Sequence, residues 1–197
     1  MLLRAERQVL AAALIFLPIL TSAYALDVPL NTTAHVYFSP YGGATAAIVT
    51  EIAKARSEIL IQAYSFTSKP IAKALINASK SGVNIAIIMD KSIISEHYSA
   101  GVFTYNAGIP TYIDSIHNIA HNKVMIIDRE TVITGSFNFT KSAEYENAEN
   151  LLVLKSRELA SAYISNWNLH RQHSDDYKGQ QGHNGRREPS KRERNRY

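Results

Sequence analysis

The chain has 197 residues, 46% of them apolar, which is enough for one domain with a real core. It has no cysteine, so disulfides and thiolate zinc sites are excluded. The net charge of +4 is unevenly spread: residues 178–197 hold seven Lys or Arg and two Glu, whereas residues 26–177 hold twelve basic and fourteen acidic residues, so the central region is not a globally basic polyanion binder.

Residues 1–25 read as a signal peptide. Arg4 and Arg7 precede an apolar run over 9–20, and Ala23-Tyr24-Ala25 offers a small-x-small cleavage site. The run is shorter than the about 20 residues of a membrane span, and Pro18 inside it disfavours a long helix. A periplasmic or secreted protein follows, with no stable membrane association after cleavage; an uncleaved anchor is the alternative. Next come a strand over 35–38, a loop over 39–43 and a helix over 44–55. A strand is expected over 58–65. A helix with Pro70 in its first turn runs to Ser81, and Gly82 ends it. Residues 84–90 read as an apolar strand, 95–106 as a helix closed by Gly108, and Tyr112-Ile113 as a short strand. The apolar run 119–127 reads as a buried strand, and Val132, Ile133 and Thr134 return as its hairpin partner. A strand over 150–154 and an amphipathic helix over 157–173 complete a domain spanning 26–177. The polar, basic tail 178–197 reads as disordered, either an attractor of polyanions or a solubilising extension. Strands alternating with helices predict an α/β sandwich with a mixed or parallel sheet.

One constellation carries chemistry. His121, Lys123 and Asp128, followed by Gly135, Ser136 and Asn138, form the pattern H-x-K-x4-D-x6-G-S-x-N. Two residues two apart on a strand share a face, so the imidazole of His121 and the ammonium of Lys123 are expected to project together. The hairpin can bring Ser136 and Asn138 beside them. Asp128 is five residues from Lys123, on the opposite strand face and in a tight turn, so it is expected to bond turn amides rather than substrate.

The pattern resembles the HKD motif of the phospholipase D superfamily. Val36-Tyr37-Phe38-Ser39-Pro40 and the Asn147-Ala148-Glu149-Asn150-Leu151-Leu152-Val153 stretch resemble the small exported endonucleases of that family, over most of the chain from about His35 to His173. The resemblance implies a phospholipase D-like αβα sandwich with one HKD motif per chain. It also implies attack on a phosphodiester by histidine. A neutral imidazole titrating near about 6.5 is a nucleophile at physiological pH, and a phosphohistidine divides one hard displacement into two easier ones. A second histidine must protonate the leaving oxygen, and lysine stabilises the charge on phosphorus. With one H-x-K, the chain needs a homodimer whose two-fold axis places both copies of His121 and Lys123 in one site. In this scheme Lys123, Asn138 and Ser136 hold phosphate oxygens, with Ser136 alternatively a turn support. Glu149 orients His121 through its ring N–H. Gly135 and Asp128 are structural.

The remaining histidines, His35, His97, His117, His170, His173 and His183, are expected at the surface or in loops, with His117 a candidate support for His121. No His/Asp/Glu group has metal-ligand spacing, so neither metal nor cofactor is expected. The reading is a metal-independent, nonspecific endonuclease of DNA, with RNA as a second polymer. The alternatives are a phospholipid hydrolase or phosphatidyltransferase, and a non-catalytic nucleic-acid-binding protein on the same fold.

Overall fold

A computed structural model describes residues 27, 32–95 and 99–179. The segment read as a signal peptide, most of the basic tail, His97 and His183 lie outside them. Eight strands form one sheet: β1 (Thr33–Phe38), β2 (Glu58–Ala63), β3 (Asn84–Asp90), β4 (Thr111–Asp114), β5 (Lys123–Ile127), β6 (Thr131–Gly135), β7 (Asn150–Lys155) and β8 (Asp175–Asp176), ordered β1-β7-β6-β5-β2-β3-β4-β8. β2, β3 and β4 are parallel to one another and every other pairing is antiparallel. Helices α1 (Ala44–Lys54), α2 (Lys69–Lys80), α3 (Ala100–Asn106), α4 (Lys141–Tyr145) and α5 (Arg157–His173) complete the order.

Strand alternation divides the core into two layers. Ile59, Ile61, Met125, Ile127 and Ile133 pack with Ile48 and Ile52 of α1 and Ile71 and Leu75 of α2. Leu60, Val124, Ile126 and Val132 face the other way, toward Ala160 and Trp167 of α5. The Trp167 indole N–H donates to the Ile61 carbonyl at 3.0 Å, so the buried indole of that layer is satisfied. This is the expected αβα sandwich with a mixed sheet.

Three expected elements change. The strand thought to begin at Ile119 begins at Lys123. The preceding residues leave the ladder because other groups take their backbone: the Asp90 carboxylate accepts from the Ala120 N–H at 2.7 Å, and the Asn122 carbonyl accepts from the Tyr64 N–H at 2.9 Å. The helix expected from Ser95 begins at Ala100, capped by the Ser99 hydroxyl accepting from Val102 N–H, and a 3-10 segment at Lys91–Ser95 precedes it. The short α4 was not expected. It carries the buried Glu144, whose carboxylate accepts from Gly43 and Thr45 N–H at 3.1 and 2.7 Å. That charge caps α1, whose own N-cap offers no side-chain bond.

Candidate active site

Antiparallel pairing brings four strand ends to one rim: the end of β2, the start of β5, the end of β6 and the start of β7. The parallel strands β3 and β4 also end there. The rim therefore gathers His121 and Lys123 at β5, Gly135, Ser136 and Asn138 after β6, and Glu149 before β7.

His121 is exposed and lies two residues ahead of Lys123, outside the strand. Lys123 is only 6% exposed. Its ammonium donates to the His121 carbonyl at 2.8 Å, so the buried cation holds the backbone that carries the imidazole. Burial pushes the Lys123 pKa below the ordinary lysine value, and the Glu149 carboxylate partly opposes this. The sequence did not reveal Tyr64. Its ring lies 4.6 Å from the His121 ring and 5.1 Å from the Lys123 ammonium, the latter within cation–π range. Tyr64 follows Ala63, which stands opposite Lys123; that register is a tertiary fact with no local signal. Asp90 was missed for the same reason: from the end of β3 it grips the Ala120 amide, next to His121.

Asn138 is half-buried, and its side-chain carbonyl oxygen is buried without a hydrogen-bond partner, a costly state for a polar atom. The Ser136 hydroxyl instead accepts from the backbone and side-chain N–H groups of Asn150 at 3.1 and 3.3 Å, tying β6 to β7. Gly135 has φ 146°, and a Cβ there would strike the Asn150 carbonyl oxygen, so no other residue fits the close approach. Glu149 does not bond His121: among the described residues its carboxylate accepts from the Asn147 side chain at 3.1 Å and acts electrostatically on Lys123.

Asp128 closes the opposite end of β5. It and Arg129 take left-handed φ values of 51° and 58°, as in a hairpin of the primed type. Its carboxylate accepts from Arg56, Ser57 and Glu58 N–H and from the Ser57 hydroxyl, at 2.8–3.1 Å. Burial raises its pKa, but these donors more than offset that and hold it below the ordinary value.

Two expectations about the histidines are corrected. His117 does not support His121; it bonds Asp114. His170 and His173 are not isolated surface residues but lie with His117 around Asp114, and this group has metal-ligand spacing. The spacings Asp114-x2-His117 and His170-x2-His173 were visible in the chain. Their meeting was not, because it depends on α5 ending beside β4. Burial raises the Asp114 pKa, but hydrogen bonds from His170, His117 and His173 outweigh it and hold the carboxyl well below the usual range.

Residues 48–169 match the family model of the cardiolipin synthase, PLD-like domain. The chain belongs to the phospholipase D superfamily. It is 42% identical over 144 residues to a phospholipase D of Rickettsia prowazekii, covering 73% of this chain and 70% of that protein. The crystal structure of the phospholipase D family member Nuc from Salmonella typhimurium superposes with a TM-score of 0.71 at 39% identity, covering 74% of this chain and 98% of Nuc. NucT from Helicobacter pylori shares the fold, with a TM-score of 0.66 at 24% identity. This superfamily member is accordingly a phosphodiesterase.

Proposed function

We propose that the protein is a metal-independent, nonspecific endonuclease that hydrolyses DNA, and RNA by the same chemistry, at a site shared by two copies of the chain. The observation that carries this reading is the open setting of His121. It is exposed on the sheet rim, where a polymer strand can lie across it. The apolar cleft of about 940 Å³ between α2 and α3 is lined by none of His121, Lys123, Ser136, Asn138 or Glu149, so it offers no acyl-chain path to the site.

In the proposed reaction a ring nitrogen of His121 attacks phosphorus. A P–N bond forms, the P–O bond to the leaving sugar breaks, and the leaving oxygen takes a proton from the partner's His121. Water then attacks the phosphohistidine while the partner's His121 takes its proton. The P–N bond breaks, leaving a phosphomonoester and a free hydroxyl. Lys123 stabilises the nonbridging oxygens, and the half-buried Asn138 presents its amide N–H to them. Glu149 balances the buried Lys123, and Ser136 acts as turn support. The basic tail holds the polyanion by long-range attraction, and export places the enzyme in the periplasm or outside the cell.

A second reading has its own observation. Ile116 and Ile119 are 66% and 58% exposed on the loop just before His121, and such side chains suit a lipid surface. Phospholipid hydrolysis or transfer is thus the runner-up. The test is plasmid cleavage in EDTA beside His121→Ala, with phospholipid vesicles in parallel. The proposal expects nicked and linear DNA from the native protein and none from the variant. Cleavage that vanishes in EDTA while the protein stays folded, and returns with a divalent ion, would overturn the metal-independent step. Turnover of vesicles alone would establish the lipid reading.

A further inference from the structure

Asp114 closes β4, His117 follows on the loop, and His170 and His173 lie one turn apart at the end of α5. One potential ligand atom from each lies within 4.8 Å of all the others. Three imidazole nitrogens converge on a single carboxylate oxygen: His117 Nδ1 at 2.9 Å, His170 Nδ1 at 2.7 Å and His173 Nε2 at 3.4 Å from Asp114 Oδ2. Around a tetrahedral ion with bonds of about 2.0–2.1 Å, ligand atoms stand about 3.3 Å apart. The three distances to the carboxylate oxygen bracket that edge length, and the remaining separations lie within 4.8 Å.

The burial is graded. The Asp114 side chain is fully buried, and those of His170, His173 and His117 are 15%, 28% and 46% exposed. A buried carboxylate needs a positive partner, and among the described residues no lysine or arginine pairs with it. The nearby Arg171 is turned elsewhere, stacked 3.5 Å from the Tyr112 ring and paired with Asp176. The three rings are already ordered against one another, with centroids 5.0–5.2 Å apart.

We propose that Asp114, His117, His170 and His173 bind one zinc-type divalent transition ion as a structural site. Imidazole with a single carboxylate suits zinc and its neighbours, whereas magnesium and calcium require mostly oxygen ligands. Four protein ligands fill a tetrahedral shell, so the ion has no catalytic vacancy and takes no part in phosphoryl transfer. Its effect is a staple. It joins the C-terminal end of α5 to the loop over 115–120, which leads into His121. That loop is also held by the Ser115 hydroxyl donating to the Asp175 carboxylate just after α5 at 3.0 Å, by the Lys91 ammonium on the His117 carbonyl at 2.9 Å and by Asp90 on the Ala120 amide, so the ion would reinforce a junction already begun.

The test uses the untagged full chain, stripped of metal and dialysed. Zinc chloride is titrated calorimetrically, and thermal melts are recorded with zinc and with magnesium. The expected result is one zinc per chain, a raised unfolding temperature with zinc and no shift with magnesium. His117→Ala changes an exposed loop side chain, and His173→Gln keeps a polar helical residue. Each should weaken zinc binding at least about tenfold, the lower bound seen for disturbing metal-site partners, and suppress the thermal shift. Cobalt should give the intense visible bands of a tetrahedral site in the native protein and lose them in both variants. Unchanged zinc affinity in both variants would overturn the proposal, as would binding that disappears on His183→Ala. So would failure of the native chain to bind zinc, which would leave the histidines as hydrogen-bond donors to Asp114. None of these readouts depends on phosphodiesterase turnover, so failure here leaves the nuclease reading untouched.

Discussion

At one end of β5, His121 is exposed, the Lys123 cation is buried, and Asn138 keeps a buried oxygen without a partner. At the other end, Asp128 lies in a hairpin with both carboxylate oxygens engaged by donors from Arg56, Ser57 and Glu58. The three letters of one motif thus sit under opposite conditions. A desolvated charge costs stability and is kept where an anionic ligand can complete it. Fully satisfied groups give stability and leave nothing for a substrate. The difference separates the two jobs within a single sequence signature.

The largest expected effect is at His121. His121→Ala should lower phosphodiesterase turnover by about 10⁴-fold with an unchanged unfolding temperature, compared by steady-state assay and thermal melt. Turnover close to native would move the nucleophile elsewhere and dissolve the contrast. Lys123→Met should lower kcat by about 10²- to 10³-fold while leaving stability equal or improved, because a buried ammonium gives way to an apolar chain of similar length. A large drop in stability instead would mean that its bond to the His121 carbonyl is mainly a structural brace.

Asp128→Asn should do the reverse. Hydrogen bonds to a charged group are worth about 1.5–3 kcal/mol, so a loss of about 2 kcal/mol in urea unfolding is expected, with turnover per folded molecule retained. The pH dependence sharpens the point. Asp128 has a folded pKa below its unfolded value, so the unfolded chain binds more protons and stability rises with pH through that interval. Its contribution is complete above about pH 4, near the unfolded aspartate value, and drains away as pH falls through the folded pKa. Urea midpoints measured between pH 5 and 2 should fall more steeply for the native protein than for Asp128→Asn; parallel curves would remove Asp128 from the acid response. Ser136→Ala should have the smallest effect, about 1 kcal/mol of stability with modest change in kcat. A hundredfold loss of kcat would place Ser136 with the reactive end instead.

Much of this was legible in one dimension because it depends on local rules. The continuous apolar runs around Ile59–Ile61 and Met125–Ile127 give strands with two buried faces, and the i, i+3, i+4 spacing in α1 and α2 gives their helices. The tight turn at Asp128, the glycine at 135 and the grouping of His121, Lys123, Ser136 and Asn138 follow from a hairpin that the chain itself encodes. The same reading placed His121 inside a strand, because apolar content at Ile119 and Ala120 does not reveal that Asp90, thirty residues away, takes the Ala120 amide.

By itself, then, the amino-acid sequence determined the superfamily, the sandwich and the hairpin that gathers His121, Lys123, Ser136 and Asn138, since each rests on neighbours close along the chain. Only the tertiary structure decided that Tyr64 lies against His121, that the Glu149 carboxylate accepts from the Asn147 side chain, and that Asp114 and His117 meet His170 and His173. Those contacts depend on strand register and on where α5 ends against β4. Residues more than fifty positions apart meet there through the packing of the whole domain, which no local spacing records.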